Sequence, residues 1–102
     1  MATTSASPHA VIRALGNPVR WAILRELARG EALPVSELAR RQGISDVALS
    51  KHAIALRQAG LLERGWGKLY RIAAAVQVPG QPLSLDVGIA TIRLDWMDAP
   101  RA

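Results

Sequence analysis

The chain has 102 residues and carries 13 Lys and Arg against 8 Asp and Glu, a net charge of +5, with 18 Ala, one Tyr, no Phe and no Cys. That length supports one domain with an aliphatic core, and the missing cysteine excludes a disulfide scaffold, a thiolate metal site and a cysteine nucleophile. The longest apolar run, Ile72 to Val76, is five residues, and Met1 to Pro8 has neither a basic nor an apolar region, so the sequence predicts a soluble cytoplasmic protein without membrane span or signal peptide.

Residues 1–7 are small and polar without periodicity and read as a disordered tail. From Pro8, the spacing of Val11, Ile12 and Leu15 predicts a short helix with Gly16 as its C-terminal cap. Asn17-Pro18 reads as an N-cap followed by proline at the first helical position. Trp21, Ile23, Leu24 and Leu27 then recur at helical spacing until Gly30. A third helix runs from Pro34 to Gly43, and Ser45-Asp46 caps a fourth that runs through Leu49, Ala53 and Leu56 toward Gly60. Leu61–Arg64 and Lys68–Ile72 have strand content and flank Gly65-Trp66-Gly67, which predicts a hairpin with a three-residue tip. Pro79 to Pro82 is a turn or linker, and Leu83, Leu85, Val87 and Ile89 alternate with polar or small residues as in a strand. Ile92, Leu94 and Trp96 continue that alternation after a phase shift near Ala90-Thr91, which suggests a bulge, and the last few residues read as a frayed tail.

The charge is unevenly placed. Residues 40–71 hold seven basic groups against two acidic ones, while the other 70 residues balance six against six. A clustered excess suits a polyanion, since binding phosphates releases condensed counterions, but it also suits a solvated surface. The local architecture decides. Helix, turn, helix and hairpin is the order of a winged helix-turn-helix. Ala39 is small where the two helices approach, Gly43 follows four residues later where the turn needs positive φ, and Leu49 follows six residues further on as a core plug. The predicted fold class is therefore mainly α with a β-hairpin wing (α+β), a winged helix-turn-helix domain at 8–73 with a strand-like extension at 74–102.

The stretch Ala14-Leu-Gly-Asn-Pro-Val-Arg-Trp-Ala-Ile-Leu-Arg-Glu-Leu27 resembles the opening helices of the ArsR/SmtB family of bacterial winged-helix repressors. Val35–Ala39 and Ile44–His52 resemble its helix-turn-helix, and Leu56–Arg64 with Lys68–Ile72 resemble its run into the wing. The likeness covers residues 9–73. It implies a homodimer that binds a near-palindromic operator in double-stranded DNA and represses transcription, often releasing it when a metal binds. Two departures qualify that. Pro34-Val-Ser36 stands where metal sensors carry a Cys-x-Cys pair, and with only His9 and His52 as imidazoles no metal or other cofactor is expected. The extension at 74–102 reads as strand where many members end in a long helix, so dimerisation would use β pairing across a two-fold axis or packing of the strand against the first helix.

On this reading the helix 45–59 enters the major groove and the hairpin 61–72 meets the backbone or minor groove. Ser45 caps the helix and is a candidate phosphate contact, whereas Asp46 suits the helix dipole better than DNA. Ala48 is a candidate for a thymine methyl, and Ser50 and Lys51 for base edges or phosphate. Arg40 and Arg41 at the end of the third helix, and Arg64 and Lys68 beside the wing, are candidate phosphate contacts, with Arg71 the remaining wing cation. The resemblance implies a half-buried His52 with a backbone or phosphate contact. Trp66 either lies on the DNA or folds back onto its own hairpin, and Trp21 and Trp96 suit a core or a dimer interface. No paired carboxylates, Ser-His-Asp set or phosphate loop supports an enzyme. The alternative is a winged helix that docks a protein and has no specific DNA site.

Overall fold

Helix starts and stops are set by a few residues that satisfy free backbone groups. The computed structural model describes residues 8–88 and 90–95; the expected tails at 1–7 and after Asp95, together with Ile89 and Trp96, lie outside the described residues. Helix α1 spans Pro8–Leu15 and α2 spans Pro18–Ala28. The Asn17 side chain accepts from the N–H groups of Val19 and Arg20 at 2.8 and 3.3 Å, and Pro18 fills a position whose N–H has no partner to lose. Gly16 is not the left-handed cap expected at the end of α1, for its φ is not positive. Its N–H still donates to the Arg13 carbonyl at 3.3 Å, and side chains of α2 meet the carbonyls there as well. Arg20 Nη1 donates to the Arg13 and Ala14 carbonyls at 3.2 and 3.4 Å, and Trp21 Nε1 donates to the Leu15 carbonyl at 2.6 Å.

Helix α3, Val35–Gln42, and helix α4, Asp46–Gln58, form the helix-turn-helix. Gly43 stops α3 in the left-handed region at φ 69°. Its N–H donates to Arg40 and that of Ile44 donates to Ala39, which satisfies two terminal carbonyls and swings the chain toward α4. The same device ends α4. Gly60, at φ 82°, donates to Arg57, and Leu61 donates to Leu56. Leu49, Ala53 and Leu56 of α4 are fully buried with Leu38 of α3 and Ile23 and Leu24 of α2, so Leu49 is the core plug that the spacing predicted.

Strand β1, Leu62–Arg64, pairs antiparallel with β2, Tyr70–Ile72, and Arg64 lies opposite Tyr70. The hairpin is therefore wider at its tip than the sequence suggested. Gly65 to Leu69 form the connection, with a 3-10 turn over Trp66–Lys68, and the Gly65 N–H closes it onto the Leu69 carbonyl at 2.9 Å. Lys68 belongs to this tip and not to the strand, because Gly67 at φ 70° and Lys68 at φ 60° both turn left-handed.

The extension forms a second antiparallel sheet in the order β3-β4-β5: Gln77–Val78, Gln81–Asp86 and Thr91–Arg93. Pro79-Gly80 is the turn between β3 and β4. The phase shift read as a bulge is a hairpin loop, since β4 and β5 pair antiparallel and Val87 donates to the Ala90 carbonyl at 3.0 Å. Leu85 of β4, against α2, and Leu94 reach the same core as the helices. The architecture is a winged helix-turn-helix, mainly α, with an additional C-terminal β segment.

Gly43 gives the first test. A Cβ there would meet no atom within 4 Å, so the cost of Gly43→Ala is backbone strain alone. The expected loss is about 1 kcal/mol, and Gly43→Asn, which tolerates the left-handed region, should lose clearly less. Urea unfolding measures both, and equal losses would mean that space, not φ, governs this turn.

Candidate nucleic-acid interface

Helix α4 starts at Ser45, whose Oγ accepts from the Ala48 N–H at 3.1 Å. With Leu49 turned into the core, helical geometry puts Val47, Lys51, Ile54 and Gln58 on the opposite face and Ala48 and Ser50 on its flanks. Burial follows that geometry: Val47, Lys51, Ile54 and Gln58 are exposed, whereas Ala48 and Ser50 are half-buried. Val47 is 68% and Ile54 47% exposed, although both are apolar. Neither residue is among those expected from sequence to touch DNA. The helical wheel drawn from Leu49 would have found them, but an apolar residue on a helix is ordinarily credited to the core.

The wing tip is the other projecting element. Trp66 is 96% exposed, so its indole does not fold back onto the hairpin. Lys68 stands beside it and is also exposed. Lys51, Arg57 and Lys68 make no ion pair with another described residue. Arg64 lies with its guanidinium 5.5 Å from the centre of the Tyr70 ring, a cation–π contact that leaves the charge exposed.

The other cations of residues 40–71 are engaged by carboxylates. Arg41 pairs with Glu37 at 2.7 Å, with Glu26 of α2 at 2.9 Å and with Glu31 at 3.6 Å. Arg40 also pairs with Glu37. Hydrogen bonds from these two guanidinium groups pull the Glu37 carboxyl down to about 2. Arg71 pairs with Glu63 at 3.5 Å, and the same Glu63 oxygen accepts from the Ala74 N–H.

His52 does not face outward with Lys51. It is half-buried, and its Nδ1 accepts from Arg20 Nε at 3.2 Å. The partner is thus a side chain of α2 and not the backbone. Burial, and then the Arg20 charge beside it, holds the imidazole below its ordinary value. Among the described residues no group of three His, Cys, Asp or Glu side chains is placed to hold a metal ion, and no helix is long and apolar enough to cross a membrane.

A family model described as a helix-turn-helix domain matches residues 15–65, half of the chain, from the end of α1 to the beginning of the wing tip. The chain belongs to the helix-turn-helix domain family. A search of curated proteins gave no match. Membership makes this helix-turn-helix protein a DNA-binding regulator in general terms, with α3 and α4 as the two helices of the motif.

The Arg20–His52 contact generates a pH test. A base held neutral by the fold binds fewer protons than the unfolded chain does, so stability rises with pH across its titration. His52 contributes stability that is fully present above about pH 7 and falls away as pH drops through the ordinary imidazole value of about 6.5. The melting temperature should therefore be lower at pH 5.5 than at 7.5. His52→Gln keeps an acceptor for Arg20 and has no proton to gain, so it should narrow that gap; an undiminished gap would assign the pH dependence to other groups.

Proposed function

We propose that this helix-turn-helix protein is a sequence-specific transcriptional regulator of the ArsR/SmtB type, a homodimeric repressor without the metal-binding cysteines. In this reading α4 enters the major groove and the wing meets the backbone or minor groove of the same duplex. The observation that carries it is the pairing of two projecting elements with unpaired cations. Lys51 stands at the centre of the exposed face of α4, and Lys68 beside Trp66 at the wing tip.

Lys51 then reaches base edges or phosphate, and Ser50 and Ala48 approach from the flanks of the same helix. Ser45 presents the helix N-terminus to a phosphate. Arg64 and Lys68 bind phosphates beside the wing, and Trp66 lies along a sugar-phosphate strand or enters the minor groove. Of the pair on α3, Arg40 is the better phosphate contact. Its side chain is far more exposed than that of Arg41, which three carboxylates hold. His52 acts through the position of α4 more than by touching DNA. The left-handed φ of Lys68 adds support. A non-glycine residue pays about 1 kcal/mol to sit there, and such strain gathers where a side chain must be presented.

Dimerisation falls to the extension at 74–102 in this reading. Strand β5 is the edge of its sheet, since the order is β3-β4-β5. Its outer backbone groups suit antiparallel pairing with the same strand of a second copy across a two-fold axis. The competing reading is a winged helix that docks a protein through the same exposed Trp66.

Selection of bound sequences from a random duplex library, at low and moderate salt, separates the two. The regulator reading expects an enriched inverted repeat with half-sites one helical turn apart. Lys51→Ala with Lys68→Ala should weaken binding to that repeat and flatten its salt dependence by about two phosphate contacts per half-site. Salt-independent binding, or none, would turn the reading toward a protein-docking module. Trp66→Ala gives an independent check. Because the side chain is 96% exposed, the melting temperature should stay within about 1 °C, while DNA binding weakens severalfold.

A further inference from the structure

The reading face of α4 has an apolar residue where a solvated surface would carry a polar one. Val47 is 68% exposed in the first turn of the helix, one residue after Asp46. Helix stability does not explain it, because a β-branched side chain is a poorer helix former than the charged or amide residues usual on an exposed face. Core packing does not explain it either, since the helix turns Leu49, Ala53 and Leu56 inward on the opposite side. The rise of 1.5 Å per residue puts Val47 about 6 Å from Lys51 and about 10 Å from Ile54 along the axis. A major groove about 12 Å wide therefore takes the first two turns of a helix that enters by its N-terminus, and Val47 enters first. Ala48, the residue for which a methyl contact was expected from sequence, is half-buried on the flank with its N–H held by Ser45.

We propose that Val47 is a specificity-determining residue, packing against the C5-methyl of a pyrimidine in the major groove. This rests on the DNA-binding reading above. The C5-methyl is the apolar group that the major-groove edge of a base pair offers, and it is absent from unmodified cytosine. Thymine and 5-methylcytosine both carry it.

The experiment uses the full chain and the inverted repeat recovered by selection. Each symmetric pair of thymines is replaced by deoxyuridine, which removes the methyl and nothing else, and affinity is measured for the wild type, Val47→Ala and Ile54→Ala at one salt concentration. One position should weaken the wild type and Ile54→Ala about fourfold per half-site, which is the effect of burying one methyl group, and Val47→Ala less than twofold. Val47→Thr, close in shape with one methyl exchanged for hydroxyl, should respond between the two. At that position, 5-methylcytosine binding better than cytosine would identify the methyl itself as the group read. A gain confined to thymine would assign recognition to the whole base pair and overturn the methyl contact. A Val47→Ala response equal to wild type at every position would overturn the assignment while leaving DNA binding intact. Failure of the wild type to bind any duplex would remove the DNA-binding reading, and this inference with it. Circular dichroism of each variant checks that the fold is kept.

Discussion

Two hydrogen bonds join the segment between α2 and α3 to the wing: the Leu33 N–H donates to the Tyr70 carbonyl at 3.0 Å, and the Tyr70 N–H donates back to Leu33 at 2.8 Å. A two-stranded hairpin of three-residue strands is marginal in water by itself. Here the added bridge on β2, and the burial of Leu62, Tyr70 and Ile72, hold it against the helices. The other end of the wing is fixed by the left-handed Gly60, which sends the chain from α4 straight into β1. Between those two anchors, only the tip from Gly65 to Leu69 projects. A reading element needs a rigid support behind a projecting tip, and the hydrogen bonds put the support at Tyr70 and the projection at Trp66 and Lys68.

The distribution of charge gains meaning from the same geometry. Counted along the chain, residues 40–71 carry the whole positive excess, but Arg40, Arg41 and Arg71 face carboxylates. Three of those carboxylates, Glu26, Glu31 and Glu37, come from outside that window. Exposed ion pairs of this kind stabilise little, so their effect is chiefly to neutralise. Glu37 stays ionised far below neutral pH, which keeps this neutralisation in place over the working range. The cations left without a carboxylate among the described residues 40–71 are Lys51, Arg57, Arg64 and Lys68. They belong to α4 and the wing. Within residues 40–71 the unneutralised charge thus lies on the two elements of the proposed DNA contact.

What could be read from the sequence was local chemistry with a local signature. Asn17-Pro18, Gly43 and Ser45 act through backbone groups two to five residues away, and each does what its residue type predicted. Leu49 and Leu56 declared themselves by helical spacing. The features that were missed depend on contacts distant in sequence. Nothing around Leu33 announces a strand partner 37 residues later, and side chains of α2 join the Gly16 N–H in capping α1. The wing tip was drawn too short because a left-handed lysine has no sequence signal, and the loop near Ala90 passed for a bulge because alternation resumes after either. For the candidate site, Lys51, Lys68 and Trp66 stood out as charge and aromatic in a basic context. Val47 did not, because hydrophobicity alone cannot say which way a residue faces.

Arg20 draws these parts together. Its guanidinium donates to the Arg13 and Ala14 carbonyls at the end of α1 and to His52 in the middle of α4, while its own N–H is part of the Asn17 cap that starts α2. One side chain thus fixes three helices, and one of them is the helix proposed to read DNA. The acceptors differ in kind. The two carbonyls are present at any pH, whereas His52 Nδ1 accepts only while the ring is neutral. Protonation would set two cations side by side and remove the one link among the three that ties Arg20 to α4. The burial that lowers the pKa of the His52 imidazole therefore favours the form that can accept from Arg20. The Arg20 link to α4 thus depends on the protonation state of a residue next to Lys51 in sequence, about 100° round the helix from it.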